Sequence, residues 1–156
     1  MPVIREIIEV DRSPEEAFDA VADFSSSEAW DPGVASARRV RAGTETPSGV
    51  GAEYDLTVTF RGRSSQMTYV TNAYARPERV ILEGRGPRIA AVDTIEFARS
   101  ATGGTRITYT ADLRLTGLAK VAEPFMGRAF EEMGTRALQG MREWLDDRPM
   151  DPTGGR

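Results

Sequence analysis

Between Val34 and Thr116 the chain alternates between apolar and polar positions. Tyr54, Leu56, Val58 and Phe60 fall on one parity, and Asp55, Thr57, Thr59 and Arg61 on the other. Ile107, Tyr109, Ala111, Leu113 and Leu115 likewise oppose Arg106, Thr108, Thr110, Asp112, Arg114 and Thr116. Period two marks strands with one wet face and one buried face. Turn-forming residues at 43–49, 61–63, 76–78, 84–87 and 101–104 cut the region into six strands. Their close spacing predicts antiparallel hairpin neighbours. A seventh strand is predicted over Val3 to Val10, where β-branched apolar residues mix with charges.

Two other segments carry a helical period. Ser13-Pro14-Glu15-Glu16 is a helix start: serine caps, proline fits the first helical position, and glutamate completes a capping box. Ala17, Phe18, Val21 and Ala22 make its apolar stripe, which stops near Asp23-Phe24. A short second helix over Ser27 to Trp30 precedes the Asp31-Pro32-Gly33 turn. The segment from Leu118 to Leu145 then reads as one long amphipathic helix. Leu118, Ala122, Phe125, Ala129, Met133, Ala137, Gly140 and Trp144 recur at three- and four-residue spacing, flanked by Val121, Met126, Phe130, Leu138, Met141 and Leu145. Pro124 either kinks it or marks its true start. On this pattern Trp144 lies on the inner stripe, and its truncation is expected to be among the most destabilising changes.

The elements predict an α+β domain over residues 1–148: a curved seven-stranded antiparallel sheet around a long C-terminal helix, with a frayed tail at 149–156. Composition narrows what such a domain can do. There is no cysteine and no histidine, which removes thiolate chemistry, Ser-His-Asp triads and nearly all zinc catalysis. No metal and no cofactor are expected. The net charge of −4 and scattered arginines argue against nucleic acid as a partner. Arg38-Arg39-Val40-Arg41 reads as an edge strand defended by charge. With no signal segment and no membrane-length apolar run, the expectation is a cytoplasmic monomer or homodimer without membrane insertion.

The order β-α-α-β6-α resembles the Bet v 1-like, START-related superfamily, the polyketide cyclase/dehydrase and lipid-transport group. Ser13-Pro14-Glu15-Glu16-Ala17-Phe18 is similar to that family's first-helix opening. Asp23-Phe24 with Trp30-Asp31-Pro32-Gly33-Val34, the Gly49-Val50-Gly51 turn, and the hairpin entering at Gly104-Thr105 fit the same pattern. The resemblance covers about residues 3 to 146 and implies a helix-grip fold enclosing an apolar ligand cavity. Its motifs are caps and turns, so they describe a scaffold and assign no chemistry.

Inside such a scaffold the wall residues are expected to be Trp30, Tyr54, Leu56, Val58, Phe60, Ile95, Leu113, Phe125, Met126 and Met133, with Asp93 and Tyr109 as the polar members. If Ile95 and Phe97 point inward, parity puts Asp93 there too, an acid whose charged form burial disfavours. If the strand starts near Val92, Asp93 sits at a solvated rim. Tyr54 and Tyr109 either orient a ligand's polar group or bond within the core. Trp30 either gates the cavity or wedges the helices. Phe125, Met126 and Met133 are an adaptable wall or plain core. Three functions follow. The domain holds a small hydrophobic molecule (lipid, isoprenoid, polyketide or aromatic); or it is a metal-independent cyclase or dehydratase with Asp93 and Tyr109 as best catalytic candidates; or it binds a protein and its cavity is closed.

Overall fold

A computed structural model describes residues 3–147; the predicted tail at 149–156 lies outside the described residues. Seven strands form one antiparallel sheet in the order β1-β7-β6-β5-β4-β3-β2. They are β1 (Val3–Val10), β2 (Val34–Arg41), β3 (Glu53–Phe60), β4 (Arg63–Ala75), β5 (Arg79–Arg85), β6 (Ile89–Arg99) and β7 (Thr105–Leu115). The six consecutive strands pair as neighbouring hairpins, and β1 returns to pair with β7, Val3 opposite Asp112 and Val10 opposite Thr105. The sheet is open, with β1 and β2 as its edges. The arginine-rich segment is therefore an edge strand, where charge discourages pairing with another chain. Register shifts between Val34 and Ser36, Arg39 and Arg41, and Thr71 and Ala73 are bulges, which bend a sheet and increase its twist.

Between β1 and β2 lie α1 (Pro14–Ala22), a 3-10 turn (Phe24–Ser26) and α2 (Ser27–Trp30). The serine cap forms as the sequence predicts, Ser13 Oγ accepting from the Glu16 amide at 3.2 Å, while the Glu16 carboxylate accepts from the Ser13 hydroxyl at 3.0 Å in place of the backbone bond of a capping box. Helix α1 lies across one half of the concave face, where Phe18 meets Tyr74 and Phe97 edge-on at 5.1 and 5.2 Å.

The C-terminal segment departs from the prediction of one continuous helix. Residues Gly117–Phe125 form a 3-10 stretch, and the α-helix, α3, runs over Gly127–Asp147. The cause is local. Pro124 supplies no amide hydrogen and clashes with a preceding α-turn, and it also disfavours helical geometry at Glu123. The apolar residues counted there therefore leave the inner stripe: Leu118, Val121 and Phe125 are 94%, 76% and 82% exposed. Within α3 the buried row is Phe130, Ala137, Leu138, Met141 and Leu145. Trp144 is only partly buried and packs at the margin of the core. Consequently Leu145→Ala, at a fully enclosed site, should cost about 2–5 kcal/mol, and Trp144→Ala less. Paired urea unfolding curves check the order; a larger loss for Trp144 would show that the helix is rotated from this position.

The C-terminal half of α3 is fastened to the N-terminal elements. Arg12 Nε donates to the Leu145 carbonyl at 2.7 Å, and the Asp11 amide donates to Asp146 Oδ1 at 2.9 Å. Gly140 lies directly against the backbone of Trp30. The first turns of α3 roof the part of the sheet that α1 leaves uncovered, with Gly134 close against Ile4 of β1.

Candidate functional site

Between that uncovered part of the sheet and α3 is a cavity of about 700 Å3. Leu56, Val58 and Phe60 of β3, Met67 and Tyr69 of β4, and Leu113 of β7 form its floor. Met126, Phe130 and Met133 form its roof, with Phe60 and Phe130 stacked at 5.4 Å. Trp30 closes the inner end, its ring edge-on to Phe24 and to Tyr109, each at 6.3 Å. Trp30 Nε1 donates to Ser26 Oγ at 3.1 Å, so the indole is held as a wall. At the other end the exposed Arg63, Ser64 and Arg88 line the cavity, and there it reaches solvent.

Three residues expected in the wall are elsewhere. Tyr54 and Ile95 are fully buried in the core away from the cavity, and Tyr54 donates its hydroxyl to the Ala22 carbonyl at 3.4 Å. Both have inward parity, but both lie in the half of the sheet that α1 and its following turn seal. Phe125 belongs to the 3-10 stretch and points into solvent, whereas its neighbour Met126 lines the cavity. The other nine, Trp30, Leu56, Val58, Phe60, Asp93, Tyr109, Leu113, Met126 and Met133, line it together.

Asp93 sits in mid-strand on β6, between Ala91 and Ile95 on the inner face, and is 4% exposed. Strand β6 begins at Ile89, so Asp93 is well inside it rather than at a rim. The Tyr109 hydroxyl, from the adjacent β7, donates to Asp93 Oδ2. Asp93 Oδ1 is buried with no hydrogen-bond partner. Burial therefore pushes the Asp93 carboxyl up to about 7, against the opposing pull of the Tyr109 bond and with some help from the charge of Asp31. Burial also raises the Tyr109 phenol well above its ordinary value, and the Asp93 charge adds to that.

Asp31 and Tyr69, the polar groups nearest the pair electrostatically, are not among the site residues the sequence singles out. Asp31, in the turn after α2, accepts from the Gly33 amide at 2.8 Å and lines the cavity; burial raises its carboxyl, while the Gly33 bond and Arg136 of α3 oppose the rise. Tyr69 lies flat against Gly84 of β5, its cross-strand partner, where a Cβ would meet the ring at 2.5 Å. A signal for Tyr69 exists: Met67, Tyr69 and Thr71 share one parity and are all buried. Nothing in the spacing around Asp31 distinguishes it from an ordinary turn aspartate.

A concave sheet closed by one helix over an apolar chamber with a few convergent polar groups defines a helix-grip ligand-cavity domain. The chain belongs to the polyketide cyclase / dehydrase and lipid transport family, whose sequence profile matches residues 1–145. Solved structures agree on the fold. A protein of Thermus thermophilus superposes with a TM-score of 0.78 at 16% identity, over 92% of this chain and 97% of that one. The Zhui aromatase/cyclase of a Streptomyces species gives 0.77 at 12% identity, over 99% and 98%. A START superfamily protein of Mycobacterium smegmatis gives 0.72 at 16% identity, over 92% and 98%. No curated protein sequence matches the chain.

Proposed function

We propose that this domain binds a small, largely apolar molecule in its cavity and anchors the molecule's polar end at the Tyr109–Asp93 pair. The observation that carries the reading is the chamber itself. Its volume, about 700 Å3, lies within the roughly 300–1,000 Å3 of typical small-molecule sites. It is walled by aromatic and aliphatic side chains and open at one end. A protein-interaction module with a merely structural interior has no use for such a volume, since interiors are ordinarily close-packed.

Nile red, a neutral apolar dye, should therefore bind with enhanced, blue-shifted fluorescence. Ala111, opposite Asp93 on β7, lines the chamber, so Ala111→Trp places an indole inside it. That variant should lose dye affinity by about tenfold or more, as the cost of filling a site worth over ~1.4 kcal/mol of contact, with its circular dichroism spectrum unchanged. Undiminished dye binding by a folded Ala111→Trp protein would move the site elsewhere. Native mass spectrometry and solvent extraction of protein from its own host would then identify the resident ligand.

A second reading rests on one specific feature. A carboxyl held near neutrality beside a phenol is suited to giving and taking a proton, as a cyclase or dehydratase acting on a bound keto compound requires. Turnover of poly-keto model compounds that disappears in Tyr109→Phe would support it; binding without turnover supports the carrier.

A further inference from the structure

Tyr109 and Asp93 both line the chamber, and Tyr109 is the more exposed of the two. Asp93 is 4% exposed, its Oδ1 is enclosed without a partner, and its Oδ2 faces the Tyr109 hydroxyl. Tyr109 is only partly buried on this wall, so its phenol presents more surface to a ligand than the Asp93 carboxyl does. A phenol has a single O–H and acceptor lone pairs, whereas an ionised carboxylate can only accept. When Asp93 is ionised, the one phenolic hydrogen is committed to it, and Tyr109 offers the chamber only lone pairs. When Asp93 carries a proton, it can donate to the phenol oxygen instead, and the phenolic hydrogen turns toward the ligand.

We infer that Tyr109 is the specificity-determining group of the cavity and that Asp93 is the positioning residue that decides whether Tyr109 gives or takes the hydrogen bond. Two ligand classes follow, on the premise that the chamber binds apolar molecules at all. With Asp93 protonated, the site selects an apolar molecule ending in a bare acceptor, a ketone or ester carbonyl. With Asp93 ionised, it selects one ending in a donor, above all a protonated amine.

The charged and titratable groups around the pair act in defined directions. Asp31, from the turn after α2, disfavours charge on Asp93 and would itself attract a cationic end group. Tyr69 of β4 feels both acids, its phenol raised first by burial and then by their charges. Arg136 of α3 acts on Asp31. Glu6 of β1 lines the same chamber, with Arg63 and Arg88 at its solvent end. None of these last three donates to Asp93 or Tyr109. Linkage is reciprocal: a bound carbonyl should hold the proton on Asp93, and a bound ammonium should expel it.

The test uses three probes of one shape, ethylnaphthalene, acetylnaphthalene and naphthylethylamine, each displacing Nile red between about pH 5.5 and about pH 8.5, spanning the carboxyl's transition. The ketone-to-amine affinity ratio should fall by about tenfold or more across that range, the scale of one buried hydrogen bond made or lost, while the hydrocarbon stays constant. Tyr109→Phe should flatten the ratio, and Asp93→Asn, which cannot ionise, should flatten it too, each ratio being read against that variant's own ethylnaphthalene affinity. A pH-independent ratio in the native protein, or a ratio that still changes in Tyr109→Phe, overturns the inference while leaving the binding reading intact. Failure of ethylnaphthalene to bind at any pH overturns the binding reading, and this inference falls with it.

Discussion

Gly140→Ala is expected to be among the most damaging single-methyl additions in the domain. A Cβ built at Gly140 would overlap the Trp30 carbonyl oxygen and lie 3.2 Å from its carbon. Both atoms are backbone, so no side chain can swing aside; α3 and α2 must separate instead. Overpacking usually costs about 1–3 kcal/mol, and this site should reach the upper end. Two other glycines of the same helix serve as references. At Gly134 the added methyl would meet Ile4 Cγ2 at 2.6 Å, a side-chain atom rather than backbone, and at Gly127 nothing lies within 4 Å. Gly134→Ala should lose less than Gly140→Ala, and Gly127→Ala should be neutral or gain up to about 1 kcal/mol from helix propensity. Urea midpoints for the three variants give the ranking directly. Equal midpoints for Gly140→Ala and Gly127→Ala would mean that α3 does not touch α2 as described.

The second large effect concerns pH. In the unfolded chain Asp93 titrates near its ordinary 3.8, whereas in the fold burial holds it up to about 7. Between those values the native state keeps a proton that the unfolded chain has already released. Stability therefore falls as pH rises from about 4 to about 7, and the loss is complete above that. At roughly 1.4 kcal/mol per pH unit, a rise of about three units corresponds to a full cost on the order of 4 kcal/mol. Asp93→Asn preserves the shape and cannot ionise, so its advantage over the native protein should grow across that window and then level off. The difference between the two unfolding free energies, measured at several pH values, isolates this group from the other carboxylates. Parallel curves would show that Asp93 is solvated.

The sequence is informative about faces and much less so about ends. Alternation places Leu56, Val58, Asp93, Tyr109 and Leu113 on the inner face, because a strand's period of two leaves no other choice once one member is known. The same rule also sends Tyr54 and Ile95 inward, correctly, but parity does not record what covers each part of a face. Here α1 seals one half of the sheet and α3 roofs the other, a tertiary arrangement with no signature in either strand. The C-terminal helix fails differently. Its apolar spacing continues through 118–125, yet one proline outweighs the pattern, and residues that would have lined the chamber become exposed. Asp31 illustrates a third kind of loss: a turn residue becomes part of a site only when the turn is folded against the cavity.

The unequal fastening of α3 bears on how such a domain can diverge. Its last turns are locked to the N-terminal elements through Arg12, Asp146 and the Gly140 contact, whereas Met126, Phe130 and Met133, at and just before its start, border the chamber. Changes near Met126 or Met133 can therefore redraw the space offered to a ligand without loosening the joint that keeps the helix on the sheet. A lineage can drift through new ligands by altering one end of one helix.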